Sequence, residues 1–257
     1  MKIKTSYKNS INYKAIYQDY DWCYQKFIVE QKSFKEMAIE AECSKRVIEK
    51  WCGEKFKLNN HTLKDYIKLS DIQKQVIMFG LLGDGHIDKR EKFPMYIESH
   101  AENQKDYLLW KYDILKNLCN KEPFYSKPCS RLINGTLCNV QGQYRLNTKV
   151  VSELSQIRNM SKKHIINELN EFGLSLHMLD DGCRGKYNWE LCVAEYNTEE
   201  KDLYISVCLD KFNLHCHTKK DDRYIIFDSA SSKILDNIIL NNVPNNLDII
   251  NYKILIG

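Results

Sequence analysis

Two aspartates could carry the chemistry of this chain, because each ends an apolar segment and each is followed by a glycine. The segments read IMFGLLGDG at residues 77–85, which contains Asp84, and LSLHMLDDG at residues 174–182, which contains Asp181. We predict a helix before each aspartate, with the glycine in the left-handed conformation that ends many helices. A carboxylate at a helix C-terminus is disfavoured by about 0.3–1 kcal/mol. Two such ends side by side would also repel each other, and a divalent metal ion would relieve both effects.

The spacing of apolar residues favours a helix before each aspartate. The stripe before Asp181 consists of Ile165, Leu169, Phe172, Leu176 and Leu179. A shorter stripe before Asp84 consists of Ile72, Val76 and Phe79. The alternative is a pair of ordinary core helices that each end in the common Asp-Gly turn. Two copies at near-domain spacing argue against that alternative and indicate a duplicated domain with paired acids.

At these motifs the sequence resembles the LAGLIDADG homing endonucleases. The first motif stands as GLLGDG at residues 80–85 and the second as GLSLHMLDDG at residues 173–182. The stretches SHAENQKDYLLWK (99–111) and NYKIL (251–255) are similar to further family segments, and the resemblance covers about residues 72–257. The first motif is one residue shorter than the usual form. Phe79 and Leu176 stand where a small residue often lets the two motif helices approach closely.

The resemblance implies an α+β fold with two pseudo-symmetric halves, residues 72–160 and 161–257. Each half would follow the order αββαββ(α), and each would place a curved sheet on DNA. The implied activity is that of a monomeric, site-specific homing endonuclease that hydrolyses both strands of double-stranded DNA at a long asymmetric target.

The resemblance also assigns roles to individual residues. Asp84 and Asp181 would each bind a divalent metal ion, Mg²⁺, which activates water and stabilises the leaving oxygen of each strand. Arg145 and Lys220 are the candidates for basic groups that stabilise the charged transition state. Asp180 precedes Asp181 but lies about 100° around the helix, so it takes a secondary place.

Alternation along one predicted strand supplies a surface for reading DNA. Gln143, Arg145 and Asn147 share one strand face, while Tyr144 and Leu146 take the other. Gln, Arg and Asn are the side chains that read adenine or guanine edges in the major groove. The predicted hairpin from 131 to 148, around the turn at Asn134 and Gly135, carries this strand. The other candidate DNA contacts of the two sheets are Arg131, Lys219, Lys220 and Arg223.

The N-terminal region is basic and predicts a small all-α domain. Residues 1–75 hold 15 lysines and arginines against 10 acidic residues. We expect a basic extension (1–20), a segment that looks like a helix-turn-helix (21–58) and a partly ordered connector (59–71). The helices would run to about Gln31, from Ser33 to Ala41 and from Ser44 to Phe56, with Glu42 at the turn position usually held by glycine. In a helix-turn-helix, the third helix would face the major groove with Lys45, Arg46 and Lys50. A generic three-helix cap is the alternative.

Composition sets outer limits on the class of protein. The chain has 257 residues, 43% of them apolar, without an apolar run long enough for a membrane span or a secretory signal. Ten cysteines without a Cys-x-x-Cys pair indicate reduced thiols in a cytoplasm or organelle matrix rather than a zinc site. His215 and His217 alternate on one strand without an evident partner pair, which argues against a metal site there.

Two other functions share these residues. A non-cleaving protein of the same fold would act as a DNA-binding regulator or as a maturase that binds the RNA of its own intron. A helix-turn-helix regulator would use its C-terminal part only for sensing or dimerisation. Retention of both Asp84 and Asp181 argues for cleavage, and duplicated motifs in one chain predict a monomer rather than a dimer.

Overall fold

The computed structural model describes residues 15–88, 94–133, 136–220 and 222–255. The chain divides into two compact units, Met1–Ile67 and Lys68–Gly257. Within the described part of the chain, no helix is both long enough and apolar enough to cross a membrane.

The N-terminal unit is helical, as the sequence predicts. Its described α-helices are α1 (Tyr20–Tyr24), α2 (Phe34–Glu40), α3 (Lys45–Ile48) and α4 (Asn60–Tyr66). Turns of π-helix continue α1 to Val29 and α3 to Lys55. The predicted connector is therefore largely helical, and its residues Leu63 and Ile67 are buried in this unit.

The α2–α3 connection has the geometry of a tight helical turn. Ser33 and Glu36 form a capping box at the start of α2. Glu42 adopts a φ of 49°, the left-handed region that usually favours glycine. Met37 and Ile48 have no solvent exposure and pack the two helices together.

The C-terminal unit contains the two predicted halves. The first half comprises α5 (Asp71–Gly80), β1 (Gly85–Ile87), β2 (Tyr96–His100), α6 (Lys105–Leu115), β3 (Phe124–Ser126), β4 (Cys129–Ile133), β5 (Thr136–Val140), β6 (Gln143–Asn147) and α7 (Leu154–Arg158). The second half comprises α8 (Lys162–Asn167), α9 (Glu171–Asp181), β7 (Gly182–Arg184), β8 (Trp189–Cys192), α10 (Thr198–Phe212), β9 (Cys216–Thr218), β10 (Tyr224–Phe227), α11 (Ser229–Asn242) and α12 (Asp248–Ile250), with a π-helical segment at Asn251–Leu255.

The two main sheets have the same topology. Their strand orders are β1-β2-β6-β3 and β7-β8-β10-β9, and every neighbouring pair is antiparallel. Gly85 pairs with Glu98 in the first sheet, and Gly182 pairs with Leu191 in the second. Asp84 and Asp181 therefore occupy equivalent positions, each one residue before the first strand of its half. The α+β class and the repeated order are confirmed.

An additional two-stranded sheet distinguishes the first half. The strands β4 and β5 pair only with each other among the described strands, while β6 joins the main sheet. The predicted Arg131–Thr148 hairpin thus divides between two sheets. The side chain of Arg131 and the predicted turn at Asn134 and Gly135 lie outside the described residues.

Two local predictions were wrong. The stripe from Ile165 to Leu179 does not belong to one helix, because α8 ends at Asn167 and the Asn170 side chain caps a new helix by accepting from the Gly173 amide. Gly182 is also extended (φ −84°, ψ 153°) rather than left-handed, and Gly85 likewise starts a strand without a positive φ. Both glycines are required for another reason. A methyl group would collide with the Tyr96 hydroxyl at Gly85 and with the Met178 carbonyl at Gly182.

Candidate catalytic centre

The two motif helices, α5 and α9, pack against each other through glycines. A methyl group on Gly173 would lie 2.5 Å from Cδ2 of Phe79, and one on Gly83 would lie 2.5 Å from Cβ of Asp180. Phe79, a large residue where a small one is usual, is thus accommodated by the glycine that faces it. This close approach of the helices brings Asp84 and Asp181 near enough for the charge of Asp84 to act on Asp181.

Asp84 and Asp181 differ in their position relative to the helix that precedes each of them. Asp181 is the last residue of α9, as predicted. Asp84 lies beyond the end of α5, because the helix stops at Gly80 and two tight turns follow. Their side chains are 38% and 34% exposed, so both carboxylates remain accessible.

The surroundings of both acids disfavour their negative charge. Burial, followed by the charge of Asp180, raises the pKa of Asp84 to about 6. Burial, followed by the charges of Asp84 and Asp180, raises the pKa of Asp181 to about 7. The two acids therefore repel each other, and a bound cation would stabilise both ionised forms.

A fully buried charged cluster lies behind Asp84. The Lys111 ammonium donates to Glu98 Oε1 at 2.5 Å and to Asp180 Oδ1 at 2.9 Å, and none of the three side chains has solvent exposure. Tyr107 donates to the same Asp180 oxygen at 2.9 Å. Burial opposes each charge, yet the attraction of its partners prevails: the pKa of Lys111 is raised and that of Glu98 is lowered. Lys111 and Glu98 are therefore both charged.

His100 connects this cluster to Asp84. Its Nε2 lies 2.7 Å from Glu98 Oε1, and its Nδ1 lies 3.0 Å from Gln104 Oε1 and 3.4 Å from Asp84 Oδ2. Burial is the largest single influence on the pKa of His100 and lowers it, but the hydrogen bond to Glu98 and the negative charges of Glu98 and Asp180 together outweigh burial, so this pKa is raised. Because both ring nitrogens face oxygen acceptors, the geometry fits an imidazolium.

The second half surrounds Asp181 differently. His177 Nε2 lies 3.9 Å from Asp181 Oδ2. His177 itself is buried between the hydroxyls of Tyr204 (3.1 Å) and Tyr196 (3.3 Å). Burial, aided by the charge of Lys162, lowers the pKa of His177 to about 3, so this imidazole is neutral.

Lys253 closes the C-terminal end of α9. Its ammonium donates to the carbonyl oxygens of Leu179 at 2.6 Å and Gly182 at 2.7 Å. A cation on these last carbonyls offsets the unfavourable helix end at which Asp181 sits. The closing NYKIL segment thus has a structural role beside the acids.

Existing protein partners limit which of these acidic residues could hold a metal ion. Ligand atoms of Asp84, His100 and Asp180 all lie within 4.8 Å of one another. However, Asp180 accepts from Lys111 and Tyr107, and both nitrogens of His100 have protein partners. The exposed carboxylates of Asp84 and Asp181 offer oxygen ligands of the kind that Mg²⁺ takes together with water and phosphate oxygens.

The predicted DNA-reading residues of the first sheet share a face. Leu146 pairs with Glu98 on the buried side, whereas Arg145 pairs with Ser99 and Phe124 and points to the other. Arg145 Nε donates to Asn147 Oδ1 at 2.9 Å, which orients the guanidinium. Gln143, Arg145 and Asn147 are all partly exposed.

The second sheet presents a more mixed surface. Lys219 lies 3.3 Å from Glu190 and beside the Tyr224 ring, so its charge is partly balanced. Lys220 and Arg223 are exposed near the β9–β10 turn. No described contact joins Lys220 or Arg145 to Asp84 or Asp181. The cations whose charge acts on the two acids are His100, Lys111 and Lys253.

These three cations were not predicted as site residues. His100 and Lys111 lie in the stretch 99–111, and Lys253 lies in the closing segment, both of which carry family resemblance. A lysine one helical turn after a buried tyrosine was the available signal, since Tyr107 and Lys111 share a helix face. In the N-terminal unit, Lys45, Arg46 and Lys50 are exposed, and Lys45 pairs with Glu49 at 3.0 Å.

The chain is similar to several solved structures. The chain resembles the structure of the homing endonuclease I-WcaI bound to its DNA recognition sequence, with 19% identity, a TM-score of 0.59, and coverage of 73% of this chain and 88% of that one. A full-length DUF199/WhiA from Thermatoga maritima matches with 15% identity and a TM-score of 0.42 over 71% of this chain and 60% of that chain. I-DmoI in complex with DNA and Mn matches with 13% identity and a TM-score of 0.37 over 65% and 97%. Among curated proteins there is no significant match.

The family comparison covers more than half of the chain. The model of the LAGLIDADG DNA endonuclease family matches residues 74–235, a range that includes both motifs and both sheets. The protein belongs to the LAGLIDADG DNA endonuclease family.

Proposed function

We propose that this protein is a site-specific endonuclease that cuts both strands of duplex DNA with the help of a divalent metal ion. The observation that carries the proposal is the pair of accessible carboxylates, Asp84 and Asp181, at equivalent positions of two halves whose motif helices meet. One acid for each strand is the arrangement that double-strand cleavage requires.

The acids would hold the metal, and other residues would fix the acids. Mg²⁺ bound there would activate water and stabilise the leaving oxygen. Asp84 is oriented by His100, and Asp181 is held at a helix end whose carbonyls are covered by Lys253. Both carboxylates are ionised less readily than an exposed aspartate, which makes them sensitive to a nearby cation.

The sheets would supply recognition. We propose that Gln143, Arg145 and Asn147 contact base edges, and that Lys219, Lys220 and Arg223 contact DNA from the second half, with Arg131 as a further contact. Two unlike surfaces within one chain would suit an asymmetric target and a monomer. Glu190 and Lys219 form an ion pair on the outward face of the second sheet. The position of the first sheet that is equivalent to Glu190 holds the apolar residue Ile97.

The decisive experiment separates cleavage from binding. Asp84→Asn and Asp181→Asn variants are incubated with a duplex recovered from a randomised library by binding to the wild-type protein. With Mg²⁺ we expect neither variant to cut both strands, and each to nick at most one. With Ca²⁺ in place of Mg²⁺, both should bind the duplex as the wild type does. Full double-strand cutting by either variant would refute the assignment, and binding without any cutting by the wild type would favour a regulator.

We propose that the N-terminal unit adds a second DNA contact through α3. The exposed basic residues Lys45, Arg46 and Lys50 on a helix that follows a tight turn support this proposal. Arg46→Ala combined with Lys50→Ala should shorten the footprint at one end of the target. Lys35→Ala on α2 is the control, and an unchanged footprint in the double variant would leave the unit as a structural cap.

A further inference from the structure

A cavity of about 280 Å³ opens beside the first acid. It is lined by Gly85 and His86 of β1, by Arg158 at the end of α7 and by Lys162 at the start of α8. The remaining lining side chains are apolar, and none of the lining residues is acidic. Since a water molecule takes about 30 Å³ in the liquid, the cavity is large enough for a polyatomic anion.

The charges in this cavity are not neutralised from within the described protein. Arg158 has no hydrogen-bond or ion-pair partner for its guanidinium among the described residues, although it is only partly exposed. Lys162 donates to the Glu195 carbonyl at 3.3 Å and lies over the Tyr196 ring. An ammonium has three N–H donors, so Lys162 retains donors for a ligand. Partly buried cations without acidic partners favour an anion in the cavity.

The position of the cavity indicates which anion. Gly85 directly follows Asp84, so the cavity adjoins the proposed cleavage centre, and DNA carries a phosphate about every 3.4 Å along each strand. A guanidinium binds two phosphate oxygens at once, and a lysine binds as a point charge. We propose that Arg158 and Lys162 form a binding site for a DNA backbone phosphate that neighbours the scissile phosphate at Asp84. This inference rests on the proposed function and moves the basic groups near the centre from Arg145 and Lys220 to the junction of the two halves.

The test measures phosphate contacts one at a time. Wild type, Arg158→Gln and Lys162→Gln are bound, with Ca²⁺, to the duplex recovered by the wild type, over a range of salt concentrations. Each lost phosphate contact should reduce the slope of log affinity against log salt by about 0.9. Lys163→Gln is the matched control, because it removes the same charge from the same helix while its side chain pairs with Glu199 outside the cavity.

A second arm locates the phosphate. Single neutral methylphosphonates are placed in turn along each strand of the duplex. One substitution beside the scissile phosphate should weaken binding of the wild type and of Lys163→Gln. It should weaken binding of Arg158→Gln less, because only Lys162 then remains at that phosphate, and it should not affect the double variant Arg158→Gln with Lys162→Gln. Arg158→Lys, which keeps the charge, should recover part of the slope, and thermal unfolding checks that each variant is folded.

The outcomes distinguish this inference from the proposed function. If the wild type binds and cuts DNA but Arg158→Gln keeps the wild-type slope, the phosphate site is refuted while the endonuclease proposal stands. An equal decrease of the salt slope in Lys163→Gln would also refute the phosphate site, because the decrease would then follow from the loss of any positive charge on this helix. If the wild type shows no salt-dependent DNA binding, the proposed function fails first.

Discussion

Lys111 of the first half and Asp180 of the second half form an ion pair with no solvent exposure, at 2.9 Å between Nζ and Oδ1. The pair crosses the junction of the two halves, one residue away from Asp181. The same ammonium also binds Glu98, so one lysine holds two buried carboxylates from different halves.

Replacing Lys111 should therefore destabilise the C-terminal unit strongly. Lys111→Met keeps the aliphatic volume but leaves Asp180 buried without its cation and leaves Glu98 with His100 alone, and removing one partner of a buried pair costs about 3–5 kcal/mol. Urea unfolding would measure the loss. Lys116→Met, an exposed lysine just beyond α6, should change stability by less than about 0.5 kcal/mol. A loss in Lys111→Met as small as that of the control would contradict the charged cluster.

The raised pKa values of the two acids predict a pH-dependent stability in the absence of metal. A folded-state pKa above the unfolded value of 3.8 means that the folded protein binds the proton more tightly, so stability falls as pH rises through about 6 for Asp84 and about 7 for Asp181. Asp181→Asn removes the part of this loss of stability that comes from ionisation of Asp181. In chelator, the melting temperature of the variant relative to wild type should be higher at about pH 8 than at about pH 5.

The same melting temperatures can be measured with Mg²⁺ in place of the chelator. Mg²⁺ should raise the wild-type melting temperature more at the higher pH and should act less on Asp181→Asn. Asp202→Asn, at an exposed position of α10, should show the same difference from wild type at both pH values. If Asp181→Asn changed the melting temperature equally at both pH values, the pKa of Asp181 in the folded protein would not be raised.

The fit of Phe79 on Gly173 predicts that the helix interface tolerates no added methyl group. Gly173→Ala should lower the free energy of unfolding by about 1–3 kcal/mol through overpacking. Phe79→Leu in the same chain should recover part of that loss, because the two changes share one contact. Gly185→Ala, where a methyl group would meet only the Asn188 carbonyl at 3.4 Å, is the control. Additive effects of the two substitutions would show that the contact is not the cause.

Arg145 should report whether the first sheet reads bases. Arg145→Ala should cost about 1–3 kcal/mol at the preferred target and relax the preference at one base pair. Binding to a library of single-substituted targets would measure both effects. Uniform weakening at all targets, together with a smaller salt slope, would instead identify Arg145 as a phosphate contact.

Local sequence signals predicted the elements that local interactions define. The helix predicted to begin at Ser33 does begin there, at a capping box of Ser33 and Glu36, because such a cap depends only on residues within a few positions. The break at Asn170 was missed because the apolar stripe continues across it, and only the cap reveals a new helix.

The residues of the candidate centre also separate into those that a local motif predicts and those that it does not. Asp84 and Asp181 are visible in sequence because each carries its own motif. The partners of Asp180 are not, because Lys111 comes from 69 positions away and its charge would ordinarily predict an exposed residue. Lys253 reaches the end of α9 from 74 positions away. Such contacts depend on how the halves pack, which neither periodicity nor spacing encodes.

The pairing of Lys111 with Asp180 makes the two halves non-interchangeable. In the equivalent position of the first motif stands Gly83, which has no side chain to offer. A homodimer built from two copies of the first half would therefore contain two buried lysines, each lacking the carboxylate that it meets here. Separating the halves into two chains should instead yield an obligate heterodimer. Each half thus depends on a charged side chain that the other half supplies.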